Sequence, residues 1–145
     1  MGTELFYRIA AAIYLGICTV SDIRRKKVNW LLSLLFAAGF LCLHVIWKDT
    51  TAAEILYGIL PGFFLLGVSV VTREAIGYGD GMVVTVCGLA LGAESAIRIL
   101  MTALFLAAGW SLILLVLRKA GKKKSFPFVP FLLTAQIFIS VLLIG

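Results

Sequence analysis

Six apolar stretches, at 5–20, 28–47, 52–72, 81–92, 95–117 and 126–144, leave this chain few folds to choose from. A helix crosses the ~30 Å hydrocarbon core of a bilayer with about 20 apolar residues, and all but the fourth stretch are near that length. The longest polar connections, 73–80 and 118–125, hold eight residues each, so there is no room for a separate soluble domain. A soluble fold of 145 residues has too much surface to hide a composition that is 62% hydrophobic, with a mean hydropathy of +1.10. The expectation is an all-α polytopic membrane protein with six transmembrane helices, forming a single transmembrane domain over 1–145. The first stretch has Glu4 and only Arg8 at its head, and no small-x-small cleavage site before Ser21. It therefore reads as a retained helix rather than a signal peptide.

The fourth stretch is twelve residues, only about 18 Å of helix. Charge decides whether it crosses. With six spans and both termini outside, loops 21–27, 73–80 and 118–125 are cytoplasmic. They carry Arg24, Arg25, Lys26, Lys27, Arg73, Arg118, Lys119, Lys122, Lys123 and Lys124, which is ten of the thirteen Lys and Arg residues. If the fourth stretch failed to span, the basic run at 118–124 would fall outside, against the positive-inside rule. It is therefore expected to span, in a thinned or locally wet region, and the chain to be multi-pass in the cytoplasmic membrane. The net charge of +6 then orients the protein and attracts anionic lipid headgroups. Nucleic acid is excluded as a partner, because no soluble surface displays the charge.

Cys18, Cys42 and Cys87 are scattered through apolar segments with no Cys-x-x-Cys spacing. They read as small apolar fillers, with neither a disulfide framework nor a zinc site. His44 is the only histidine and has no second ligand-type residue beside it, so it reads as a helix-packing or interfacial residue. No metal and no cofactor are expected.

Two acids stand out against this background. Asp22 ends the first apolar segment, in Thr19-Val20-Ser21-Asp22, and Asp80 opens the fourth, in Gly77-Tyr78-Gly79-Asp80-Gly81. An ionisable group at membrane depth is costly and points to function. Each has a bland explanation: Asp22 balanced by Arg24, Arg25 or Lys26, and Asp80 as a cap on a helix N-terminus. The topology, however, puts both at the cytoplasmic membrane surface at similar depth. Gly77, Gly79 and Gly81 remove side-chain bulk and permit positive φ. They let the backbone leave helical geometry and let a substrate strand come close. Two carboxyls that meet there are the minimum equipment for acid–base hydrolysis of a peptide bond.

Gly-x-Gly-Asp at the mouth of a membrane helix resembles the GxGD intramembrane aspartyl proteases, and among them the type IV prepilin peptidases. Three stretches carry the likeness: residues 21–29, with Asp22 and then Asn29; residues 77–80; and Phe126-Pro127-Phe128-Val129-Pro130-Phe131, which resembles a Pro-Phe-x-Pro-Phe start of the last helix. The chain departs from the family where Gly81, Met82 and Val83 follow the second aspartate in place of an apolar residue and Lys. It departs again at Lys27-Val28, where Ile-Pro is usual. It looks like the short, peptidase-only form, without the paired-cysteine domain associated with N-methylation, so the product is expected to keep a free amine.

The resemblance implies catalysis by Asp22 and Asp80, with Gly77, Gly79, Gly81, Asn29, Pro127 and Pro130 shaping the site. It implies a prepilin-like or preflagellin-like precursor as partner, cut where its short basic leader meets its membrane helix. The two other readings are a GxGD protease for another membrane peptide, and a small ion-coupled transporter or scaffold. Against the transporter, broken helices are expected in both halves, and only 77–81 reads as broken. Pro127 and Pro130 read either as a stiff helix start or as a clamp in which Phe126 and Val129 stay extended and pair with substrate.

Overall fold

A computed structural model of the chain describes residues 2–25, 29–48, 50–73, 77–117 and 128–144. The expectations placed on Lys26, Lys27, Val28, Phe126, Pro127 and the loop 118–125 lie outside these residues. The described residues form six helices and short connections: α1 Gly2–Arg25, α2 Trp30–Trp47, α3 Ala52–Val71, α4 Tyr78–Leu91, α5 Ala93–Val116 and α6 Val129–Ile144. Each apolar stretch of the sequence is one helix. Four of them, α1, α2, α3 and α5, are long and apolar enough to cross a membrane, at 18 to 24 residues, roughly 27–36 Å.

Local chemistry sets the ends. The Asn29 side chain accepts from the Leu31 N–H at 3.2 Å and starts α2. Thr51 and Glu54 form a reciprocal capping box on α3, which satisfies N–H groups that no helical partner reaches. Glu4 sits in the first turn of α1 and Arg24 and Arg25 in its last, each complementing the helix dipole. A single residue, Gly92, joins α4 to α5 at φ 84°, ψ 165°. That conformation is open essentially to glycine alone.

Helix α4 is the centre of the molecule. It is only 14 residues long and packs on α1, α2, α3 and α5. Gly81, Val83, Val84, Val86, Cys87, Gly88, Leu89 and Ala90 are all buried, on every side of the helix. A helix that is apolar all round and short need not face lipid when protein surrounds it. Its tightest neighbour is α3, running antiparallel. A methyl group at Gly58 or at Gly88 would run into the other residue's carbonyl oxygen, one at Gly62 would strike Thr85, and one at Gly81 would lie 2.8 Å from Leu66. Small residues spaced Gly58-x-x-x-Gly62 let two backbones touch, the usual means of close packing between membrane helices.

Polar ties complete the bundle. Tyr14 and Ser33 share a 2.8 Å hydrogen bond between α1 and α2. The Gln136 amide donates to the Arg8 carbonyl oxygen at 2.9 Å, joining α6 to α1. His44 explains how a short α4 can end inside the protein. Its Nε2 lies 2.8 Å from the Leu89 carbonyl. A carbonyl only accepts, so Nε2 carries the hydrogen and donates, while Nδ1 shares a 2.9 Å hydrogen bond with the Thr50 hydroxyl. Leu89 is in the last turn of α4, where carbonyls lack helical partners. His44 is thus a cap across helices, stacked on Tyr7 at 4.7 Å, in keeping with a packing rather than a ligand role.

The outer surface is apolar: Phe64, Val71 and Phe105 are 72%, 82% and 85% exposed. The two ends differ in charge. Arg24, Arg25 and Arg73 lie at the end where α1 and α3 finish. Glu4, Glu54 and Glu94 line a cavity of about 500 Å³ at the opposite end, beside His44.

Candidate active site

The last turn of α1, the first turn of α4 and the start of α6 meet at the basic end of the bundle. Asp22 is buried, at 9% exposed, on the stripe of α1 that also holds Ala11, Leu15, Cys18 and Thr19. Asp80 is the third residue of α4 and half-buried, with its own N–H donating to the Gly77 carbonyl at 3.1 Å. The two carboxyls are close enough that the charge of Asp22 acts on Asp80. The backbone N–H of Val129, at the head of α6, is directed to the Asp22 carboxyl. Below the acids, Cys18 and Cys87 are both buried and free, as filler residues would be, while Cys42 is exposed.

The glycines have more varied reasons than conformational freedom. Gly77 is the one outside the helix, at φ −58°, ψ 128°, so it does not use positive φ. A Cβ there would come within 2.9 Å of Asp80 Oδ2, so glycine leaves room for the carboxylate itself. Gly79 and Gly81 are helical, contrary to a backbone that departs from helix across 77–81. Gly81 faces Leu66 and lets α4 approach α3. The glycine frame therefore positions Asp80 partly by packing.

The remaining site residues separate. Asn29 is placed as the exposed cap of α2. Pro130 lies in the first turn of α6, where its missing N–H leaves no helical bond unmade. Val129, read from sequence as leaning to extended backbone, instead opens the helix. Its N–H faces the Asp22 carboxyl. Pro127 lies outside the described residues. Two features escaped the sequence reading. The Gly58-x-x-x-Gly62 spacing was legible as a packing motif. Thr19, one turn before Asp22 on the same buried stripe, was legible from helical period alone. Among the described residues no three His, Cys, Asp or Glu side chains converge as metal ligands would.

A sequence profile of the type IV leader peptidase family matches residues 9–117, well over half of the chain. The matched stretch contains Asp22, Gly77, Gly79, Asp80 and Gly81, and stops short of α6. No curated protein and no solved structure matches the chain.

Proposed function

The chain belongs to the type IV leader peptidase family, and from that premise we propose that it is a membrane-embedded aspartic endopeptidase with Asp22 and Asp80 as its catalytic acids. Its substrates are prepilin-like precursors, whose short basic leader it removes at the cytoplasmic membrane boundary. The observation that supports this reading is the packing of α4 on α1, with Asp80 near enough to Asp22 for the charge of one acid to act on the other. No other pair of acids in the described residues stands in such surroundings: Glu54 is spent in a helix cap and Glu94 pairs with Arg98.

All six helices cross the bilayer in this reading, with both termini outside. The short α4 crosses because protein, not lipid, surrounds it, and local thinning is tolerated at modest cost. The end with Arg24, Arg25 and Arg73 then faces the cytoplasm by the positive-inside rule. Asp22 and Asp80 lie at that end, at the depth where a precursor's leader gives way to its membrane helix.

The chemistry needs one carboxylate and one carboxylic acid. The carboxylate takes a proton from water as the water oxygen attacks the scissile carbonyl carbon. The acid gives its proton to the carbonyl oxygen. Collapse of the tetrahedral adduct breaks the C–N bond: one hydroxyl proton of the adduct returns to the second aspartate as the C=O reforms, and the amine leaves with the proton held by the first. Purified protein incubated with a precursor peptide bearing a basic leader, a glycine and an apolar run is expected to release the leader. Asp22→Asn and Asp80→Asn should each abolish release while inserting normally, and the double variant should be no worse, since residues acting as one unit are not additive. Cleavage at the parental rate in either single variant defeats the assignment.

A further inference from the structure

We propose that the Thr19 hydroxyl is a positioning group that holds, with Asp22, the water that attacks the substrate. The inference rests on the aspartic peptidase reading above and deepens it. Thr19 and Asp22 are three residues apart in α1, hence on one helix face, and each is only 9% exposed. Thr19 Oγ1 and Asp22 Oδ2 are both buried and have no hydrogen-bond partner among the described residues.

For a threonine in this protein that is a departure. The hydroxyls of Thr72, Thr85, Thr102 and Thr134 each donate to the carbonyl four residues earlier, at 2.7–2.9 Å. That bond is open to any helical threonine and satisfies a hydroxyl with no help from elsewhere. Thr19 does not make it. A buried hydroxyl without a partner is disfavoured, and so is a buried carboxylate oxygen. One small polar molecule bridging the two satisfies both. In a hydrolase that molecule is the co-substrate itself.

The bridge also divides the labour of the two acids. Water held between Thr19 and Asp22 gives one hydrogen bond to each oxygen and keeps a lone pair for the carbonyl carbon. On attack, the C–O bond forms, the proton on the Asp22 side passes to Asp22, and the other O–H stays on Thr19 Oγ1. Asp80 then supplies the proton to the carbonyl oxygen. The Val129 N–H faces the Asp22 carboxyl from the head of α6.

The test uses Thr19→Val and Thr19→Ser in the full-length protein, with kcat, KM and thermal unfolding measured on the same preparations. Thr19→Val replaces an unpartnered hydroxyl by a methyl group. It is expected to unfold at the parental temperature or above, to keep KM within about twofold, and to lower kcat by about ten- to a hundredfold, the cost of a misplaced reactant. Thr19→Ser is expected to restore most of kcat. Parental kcat in Thr19→Val overturns the proposal. So does a lower unfolding temperature with no rescue by serine, which marks a structural hydroxyl. Asp22→Asn and Asp80→Asn are run alongside: normal cleavage by these overturns the aspartic peptidase reading, whereas loss of activity in them with a fully active Thr19→Val overturns the role of Thr19 alone.

Discussion

Gly88→Ala is expected to loosen the contact on which α4 is built. Gly88 faces Gly58 across the antiparallel α3–α4 pair, and an added methyl would overlap the Gly58 carbonyl oxygen. That neighbour is backbone and cannot rotate aside. Relief requires the two helices to part by roughly an ångström or more, which forfeits a quarter to a half of the van der Waals contact along the seam. Overpacking of this kind costs about 1–3 kcal/mol. Alanine returns about 0.5–1 kcal/mol through its better helix propensity, so the net destabilisation centres on about 1 kcal/mol and reaches at most about 2.5. Gly67, also on α3, supplies the control, since a Cβ there meets nothing within 4 Å. Gly67→Ala should be neutral or stabilising by up to about 1 kcal/mol. Denaturant unfolding of the detergent-solubilised variants, followed by helical circular dichroism, separates the two. A Gly88→Ala protein as stable as the parent, or a Gly67→Ala protein that loses as much, refutes backbone contact as what holds α3 to α4.

Three further outcomes are expected. His44→Leu leaves the Leu89 carbonyl without its donor and should cost about 1–3 kcal/mol, seen in the same unfolding assay; His44→Gln, which keeps an N–H near the same place, should recover much of it. Gly92→Ala forces an L-residue into a region nearly closed to it and should cost about 1–3 kcal/mol, with a neutral result showing that the α4–α5 joint relaxes freely. Pro130→Ala should slow cleavage about tenfold, about 1.4 kcal/mol in the barrier, by loosening the start of α6 that carries the Val129 N–H to Asp22, with insertion unchanged; a parental rate reduces Pro130 to a helix start.

How much was legible follows from which forces are local. The apolar runs gave all six helices to within a few residues, because helix formation in an apolar segment depends on that segment alone. The match at α3, expected at 52–72 and found at Ala52–Val71, shows it. The opposite case is α1, which continues through Asp22 to Arg25 instead of stopping at 20. Hydropathy ends at the first polar residue, whereas the helix ends where its hydrogen bonds do. Asp22 and Asp80 were also legible, since an acid in an apolar chain is conspicuous without any partner.

What the sequence by itself determined, then, is a chain of six apolar helices carrying two acids at one end. Only the tertiary structure decided which faces meet. It placed the shortest helix at the centre, because glycines on α3 and α4 are complementary only when the two surfaces are set against each other. It turned Gly81 from a hinge into a contact, gave His44 the free carbonyl of Leu89, and brought the Val129 N–H to Asp22. Each of these joins residues far apart in the chain, through directional bonds or close backbone approach. Periodicity reports which side of a helix is buried; the partner across the gap depends on register between helices, which packing alone sets.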